Sequence, residues 1–231
     1  MIKVYPYKEL GEVNHGWLLA KHHFSFGEYY NPNKMGFGVL RVINDDTIQP
    51  KSGFDMHPHK NMEIITYIRH GAITHIDNQG NKGVTKAGDV QVMSAGSGIF
   101  HSEYNLEDTV TQLYQIWIKP NKLNVEPRWE TKAFPKHSSD KALTLLVSGD
   151  KSDDALFIHQ DAKIYAGLLK SGTSIEHKIT HQVYILSASG MVEVNGIILN
   201  ERDGAEITGV KSIMIKSLTQ SQVLIIDVPE K

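Results

Sequence analysis

The chain of 231 residues contains no cysteine. That excludes disulfides, thiolate metal sites and a cysteine nucleophile. No apolar run approaches the roughly 18 residues that a membrane helix needs, and the opening "MIKVYPYKELGEV" has no apolar stretch of signal-peptide length. Neither charge is in excess: 24 Lys and Arg stand against 26 Asp and Glu, a net charge of −2. No basic field therefore points to direct nucleic-acid contact. No long amphipathic helical repeat is present either. With 40% hydrophobic and 22% charged residues the chain is globular rather than disordered. The expectation is a cytoplasmic protein with neither a membrane nor a nucleic-acid partner.

What is present is period-two alternation. "FGVLRVIND" (37–45), "EIITYIRHG" (63–71), "AITHID" (72–77), "DVQVMSAG" (89–96), "QLYQIWIKP" (112–120) and "KALTLLVSGD" (141–150) read as strands rich in β-branched and aromatic residues. "DNQGNKG" (77–83) reads as a hairpin turn. The pattern weakens over 121–141, which holds two prolines and a polar cluster and reads as a linker. Strands resume beyond it, and "EIITYIRHGAITHIDNQG" has a distant counterpart in "HQVYILSASGMVEVNG". The expected fold is all-β: two β-barrel, jelly-roll-like domains, over 1–133 and 134–231.

Twelve histidines remain to be placed. In "MHPHKNMEII" (56–65), His57 and His59 are two apart and share one face of a strand. In "AGSGIFHSEYN" (95–105), His101 and Glu103 do the same. Two neighbouring strands of a barrel could aim three imidazoles and one carboxylate at a single interior point. Four ionisable groups turned inward are costly unless something pairs with them, and a divalent cation would. This donor set suits Fe(II) and also Mn, Ni, Cu or Zn. The glycines of "SAGSG" suggest room for a ligand beside it.

Glu63 lies in phase with His57 and His59. It could be a fourth ligand, a partner of the ligands or a plain edge carboxylate. His70 and His75 flank a turn and are expected to face solvent. His22 and His23 could line a pocket or lie on the surface, and His177 and His181 are expected on the surface or in loops.

At these residues the chain resembles the cupins. "GFDMHPHKNMEIITYIRHG" follows their first motif, with three residues rather than five between Gly53 and His57. "GDVQVMSAGSGIFHSEYN" follows the second, with Ser94 in place of proline and two extra residues before His101. "NHGWLLAKHHFSFGEYYNP", "HPHKNMEIITYI", "MSAGSGIFHSEYN" and "LYQIWIKP" resemble segments of one branch, the pirin family.

That resemblance implies a bicupin whose second domain is degenerate and binds no metal. It implies one divalent transition metal, Fe(II) foremost, on His57, His59, His101 and Glu103. Glu63 is left beside the ligands rather than on the metal. It further implies dioxygenase cleavage of a flavonol such as quercetin, with Glu103 as the base that takes the substrate's hydroxyl proton. The alternative it implies is a metal- or redox-sensing binding module that regulates a partner protein, as a transcription cofactor does. A metal-binding protein without catalysis is a third reading, and a monomer is expected.

Overall fold

The computed structural model describes residues 1–134, 136, 138 and 142–231. Lys141, expected to start a strand, and residues 135, 137, 139 and 140 of the expected linker lie outside the described residues. In chain order the strands are β1 (Ile2–Tyr5), β2 (Gly11–Asn14), β3 (Leu18–His22), β4 (Leu40–Ile48), β5 (Ser52–His59), β6 (Glu63–His70), β7 (Ala72–Asp77), β8 (Lys82–Lys86), β9 (Val90–Ser94), β10 (Ile99–Asn105), β11 (Thr111–Ile118) and β12 (Arg128–Lys132). They continue as β13 (Thr144–Ser148), β14 (Leu156–Phe157), β15 (Lys163–Leu169), β16 (Ser174–Lys178), β17 (Gln182–Ser189), β18 (Val192–Val194), β19 (Ile197–Leu199), β20 (Gly204–Ile207), β21 (Ser212–Ser217) and β22 (Ser221–Val228). The only helical element among the described residues is a 3₁₀ turn at Tyr7–Glu9.

The strands group into two compact units. One comprises Gly11–Phe134 and Leu156–Gln160; the other comprises Met1–Leu10, Pro135–Ala155 and Asp161–Lys231. The first ten residues group with the later strands because β1 pairs with β20, Ile2 opposite Ile207. Leu156–Gln160 groups with the earlier strands through hydrogen bonds accepted by its backbone carbonyls, one from a backbone N–H and one from a side chain. Asn121 N–H donates to the His159 carbonyl (2.7 Å), and Arg128 donates to the Phe157 carbonyl (2.7 Å).

In the N-terminal unit the large sheet runs β12-β9-β6-β11-β4-β3-β2, and a smaller one runs β5-β10-β7-β8. In the C-terminal unit the corresponding orders are β1-β20-β17-β22-β15-β13 and β16-β21-β18-β19. Six strands of the large sheets, β12 to β3 against β1 to β13, and all four of the small ones correspond in order, so the weak sequence repeat is a repeated topology. Both units are jelly-roll-like. They are not closed barrels as expected: each sheet ends on edge strands, β5 and β8 for example, and hydrogen bonding does not run round a ring.

The hairpin at 77–83 forms as expected, with Gly80 at φ 90° in its turn and Gly80 N–H donating to the Asp77 carbonyl (3.3 Å). The linker reading of 121–141 needs correction. Arg128–Lys132 is a strand paired with β9, Trp129 opposite Met93. Pro127 precedes the strand rather than interrupting it, and Trp129 packs on the cluster of Ile64, Met93, Ala95 and Ile99. That burial holds a strand whose flanking sequence looks unstructured.

Of the two glycines in 95–98, Gly98 does have open space beside it, but Gly96 serves a different purpose from the one expected. Gly96 has φ +49°, and a Cβ there would overlap the Val125 carbonyl oxygen. It permits a close backbone approach, sealed by Ser97 N–H donating to Val125 O (2.9 Å), and is no opening for a ligand. We expect Gly96→Ala to destabilise the protein by at least about 1 kcal/mol, read as a lowered urea midpoint. An unchanged midpoint would show that this approach is not constrained.

Candidate metal centre

The site is built on β5 and β10. They pair antiparallel with His101 opposite His57 and Ile99 opposite His59, and the register shifts between His101 and Glu103. Alternation along each strand brings the three imidazoles together: ring centroids lie 4.8 Å apart for His57–His59, 4.5 Å for His57–His101 and 4.9 Å for His59–His101. Close approach at the start of β5 depends on Gly53, where a Cβ would overlap the Glu103 carbonyl and Tyr104.

The donor atoms suit a cation. His57 Nδ1 lies 2.6 Å from the Asp55 carbonyl, so it carries the proton and Nε2 keeps a lone pair. His101 Nε2 is buried without a hydrogen-bond partner. Burial, reinforced by the neighbouring imidazoles, pulls the His59 and His101 pKa values down to about 3. These rings are neutral at neutral pH, as metal ligation requires.

Among the described residues, two overlapping groups could hold a metal: His57, His59 and His101, or His75, His101 and Glu103. They share His101. The outer group has the unpartnered His101 Nε2; in the inner one, nitrogens of His75 and His101 already face each other, at 3.4 Å.

Glu103 is buried and held as a hydrogen-bond acceptor. Gln91 Nε2 donates to Oε1 (2.6 Å) and Gln115 Nε2 donates to Oε2 (2.8 Å). The Thr66 hydroxyl donates to Gln115 Oε1 (3.1 Å), and the Thr85 hydroxyl to Gln91 Oε1 (2.9 Å), which fixes both amides in orientation. Gln115, Thr66 and Gln91 are register partners across β11, β6 and β9. Asn44 extends the row on β4.

Glu63 is buried at the start of β6. Its hydrogen bonds go to the Ser94 hydroxyl (2.7 Å) and the His159 backbone rather than to His57, His59 or His101. Burial raises its pKa against the pull of those partners and of Arg128.

A cavity of about 550 Å³ opens over the histidines. Trp17, Phe26, Phe54 and Trp117 supply aromatic walls, while His57, His59, His101, Glu103 and Asp46 supply the polar part. Trp117 also packs edge-on against His59, centroids 4.9 Å apart. Asp46 is buried, and its carboxyl is pushed well above the usual carboxylate range by burial and by the charges of Asp45 and Glu103, with Arg69 opposing.

His75 is not solvent-facing as expected. It is fully buried, stacked on Trp129 at 4.8 Å and 8°, and hydrogen-bonded to Asp77. Alternation places Ile73, His75 and Asp77 on the inner face of β7. The apolar Ile76, 38% exposed on the outer face, hides that phase. His70 is exposed, as expected.

Neither His22 nor His23 is at the surface. Both are buried, and His22 Nδ1 lies 2.7 Å from the Asn44 amide oxygen. His177 also departs from the expectation: it sits in β16, packed edge-on against Tyr165 at 4.6 Å. His181 is part-exposed beside Asp161 (3.0 Å). In the C-terminal unit, β16 and β21 take the places of β5 and β10, but Ile175, Ile213 and Ile215 fill that interior as part of an aliphatic core.

Two jelly-roll units in one order, the first carrying inward histidines and the second packed with aliphatics, define a bicupin whose second domain is degenerate. The Pirin family description matches residues 4–118, and that of the quercetinase C-terminal cupin domain matches residues 145–228. A pirin-like protein of Caulobacter vibrioides is 51% identical over 98% of this chain and 99% of its own. The quercetin 2,3-dioxygenase of Escherichia coli is 44% identical over 99% of each chain. The crystal structure of the bacterial pirin YhhW of Escherichia coli in complex with nickel(II) covers both chains completely, at 42% identity and a TM-score of 0.94. The chain belongs to the pirin family.

The depressed histidines carry a pH dependence. In the unfolded chain these rings take protons below about pH 6.5, whereas in the folded metal-free protein they do so only near pH 3. Between those values the unfolded state binds more protons, so stability falls as pH falls. Asp46 and Glu63, shifted upward, act in the opposite sense, so the informative quantity is a difference. On moving from pH 7 to pH 5, the Tm of the metal-free protein should drop further than that of His59→Gln. Equal drops would contradict the burial of a neutral His59.

Proposed function

We propose that this protein is a metal-dependent dioxygenase that cleaves a flavonol such as quercetin, with His57, His59, His101 and Glu103 as metal ligands. The observation that carries the reading is three converging imidazoles and one oriented carboxylate lining an aromatic-walled cavity. The names of the relatives support the same chemistry. The donors fit a divalent transition metal, Fe(II) first, with Mn, Ni, Cu or Zn also accommodated. When bound, the metal supplies Lewis-acid and redox chemistry toward a deprotonated hydroxyl and dioxygen.

The chain's own residues do the rest. Trp17, Phe26, Phe54 and Trp117 offer flat apolar surface to a planar polyphenol and exclude water around it. Glu103 accepts the hydroxyl proton, with Gln91 and Gln115 keeping its carboxylate aimed at the site. Asp46, whose carboxyl burial pushes well above the usual carboxylate range, lines the same cavity and supplies a polar contact for a substrate oxygen.

The test is metal analysis of protein purified without added metal, followed by quercetin turnover after reconstitution with Fe, Mn, Ni, Cu and Zn in turn. His101→Ala should lose bound metal and turnover together. Glu103→Gln should keep part of the metal while turnover falls by about 10²-fold or more. Full turnover in a metal-free variant would sink the proposal. Full occupancy with every metal and no turnover would favour the binding-module reading.

A further inference from the structure

We propose that Asp77 and His75 set the tautomer of His101, so that His101 turns a bare Nε2 toward the pocket. His75 Nε2 lies 2.8 Å from Asp77 Oδ2. A carboxylate can only accept, so the neutral ring of His75 places its proton on Nε2 and holds a lone pair on Nδ1. His101 Nδ1 faces that lone pair at 3.4 Å, and the two can meet only if His101 carries its proton on Nδ1. Nε2 of His101 is then left without a proton, buried and without a hydrogen-bond partner. The chain of three groups lies out of solvent, with the His75 and Asp77 side chains fully buried and Trp129 stacked on the His75 ring.

The hairpin fixes the direction of this chain. Asp77 Oδ1 accepts from the backbone N–H groups of Gln79 (2.9 Å) and Asn81 (3.0 Å), and Asn81 Nδ2 donates to Oδ2 (3.0 Å). An asparagine at position 77 would keep its oxygen on the two turn amides and point its NH₂ at His75. That reverses every donor: His75 would accept at Nε2 and donate from Nδ1, and His101 would be left with its proton on Nε2, where a metal must bind. His75 and Asp77 are thus positioning residues for His101. This consequence for metal binding rests on the ligand reading above, whereas the tautomer can be read without metal.

The experiment uses ¹⁵N-labelled, metal-free protein. Long-range ¹H–¹⁵N spectra of the imidazoles should show His101 protonated on Nδ1 in the wild type and on Nε2 in Asp77→Asn. Ni(II) affinity, measured by chelator competition, should fall about 10- to 100-fold in Asp77→Asn and less in His75→Phe, which keeps a ring against Trp129. Adding Asp77→Asn to His75→Phe should cause no further loss, because the relay is already gone.

A wild-type His101 protonated on Nε2 would overturn the proposal without any variant. So would an unchanged tautomer in Asp77→Asn, or a double variant that carries the full Asp77→Asn loss. If the tautomers behave as described and the wild type binds no Ni(II), the ligand reading fails and the relay stands.

Discussion

The pairing of β10 with β5 is the constraint on which the site depends. Because side chains alternate, setting His101 opposite His57 commits His59, Ile99 and Glu103 as well. A slip of β10 by one residue would turn His101 and Glu103 to the outer face, away from His57 and His59. Several local features hold the register. Gly53 admits the close approach of Glu103 and Tyr104, the Tyr104 hydroxyl bonds to Asp55, and Asn105 Nδ2 donates to the carbonyls of Ile48, Gln49 and Thr109 at the end of β10. The irregularity places one extra residue in β5, between Phe54 and His57, while β10 keeps its register with β7; bulges of this kind are common beside functional sites.

Turning ionisable groups inward sets a second requirement. An unsatisfied buried polar group costs a few kcal/mol, and an unpaired charge more. The N-terminal unit answers with a polar row across its large sheet, Asn44–Gln115–Thr66–Gln91, whose two glutamine amides end on Glu103. The corresponding sheet of the other unit runs Ala205–Ile185–Ile225 through its middle and packs as an aliphatic core. One topology therefore supports two interiors. The polar row has a reason to persist only where a carboxylate and imidazoles must be held.

Much of this was legible in the residues themselves. Alternation identifies most strands of the N-terminal unit, and two i, i+2 pairs identify the histidines that meet. The repeat in topology leaves a trace in two strand–glycine–strand segments. What escaped did so for physical reasons. Arg128–Lys132 looks unstructured because its neighbours are polar and a proline precedes it, yet one tryptophan anchors it. His75 looks exposed because Ile76 claims the apolar phase of β7. The two misreadings share a cause, since Trp129 is the ring that covers His75. Gln91 and Gln115 sit in apolar strands where a lone polar residue gives no hint of its partner; only the register across three strands does. Gly96 shows the converse, a residue that suggests space while serving contact.

The pairing of β1 with β20 bears on how the chain is made. Met1 and Thr208, whose hydrogen bond closes that edge, are 207 residues apart. During synthesis Ile2–Tyr5 is made about 200 residues before its native partner Gly204–Ile207 and stays unpaired until that strand has followed. The N-terminal unit needs nothing beyond Gln160 and can close earlier. An unpaired strand that waits this long is open to pairing with other chains. Its alternation of charge and apolar side chains, Lys3 between Ile2 and Val4, and its length of only four residues limit that exposure while it waits.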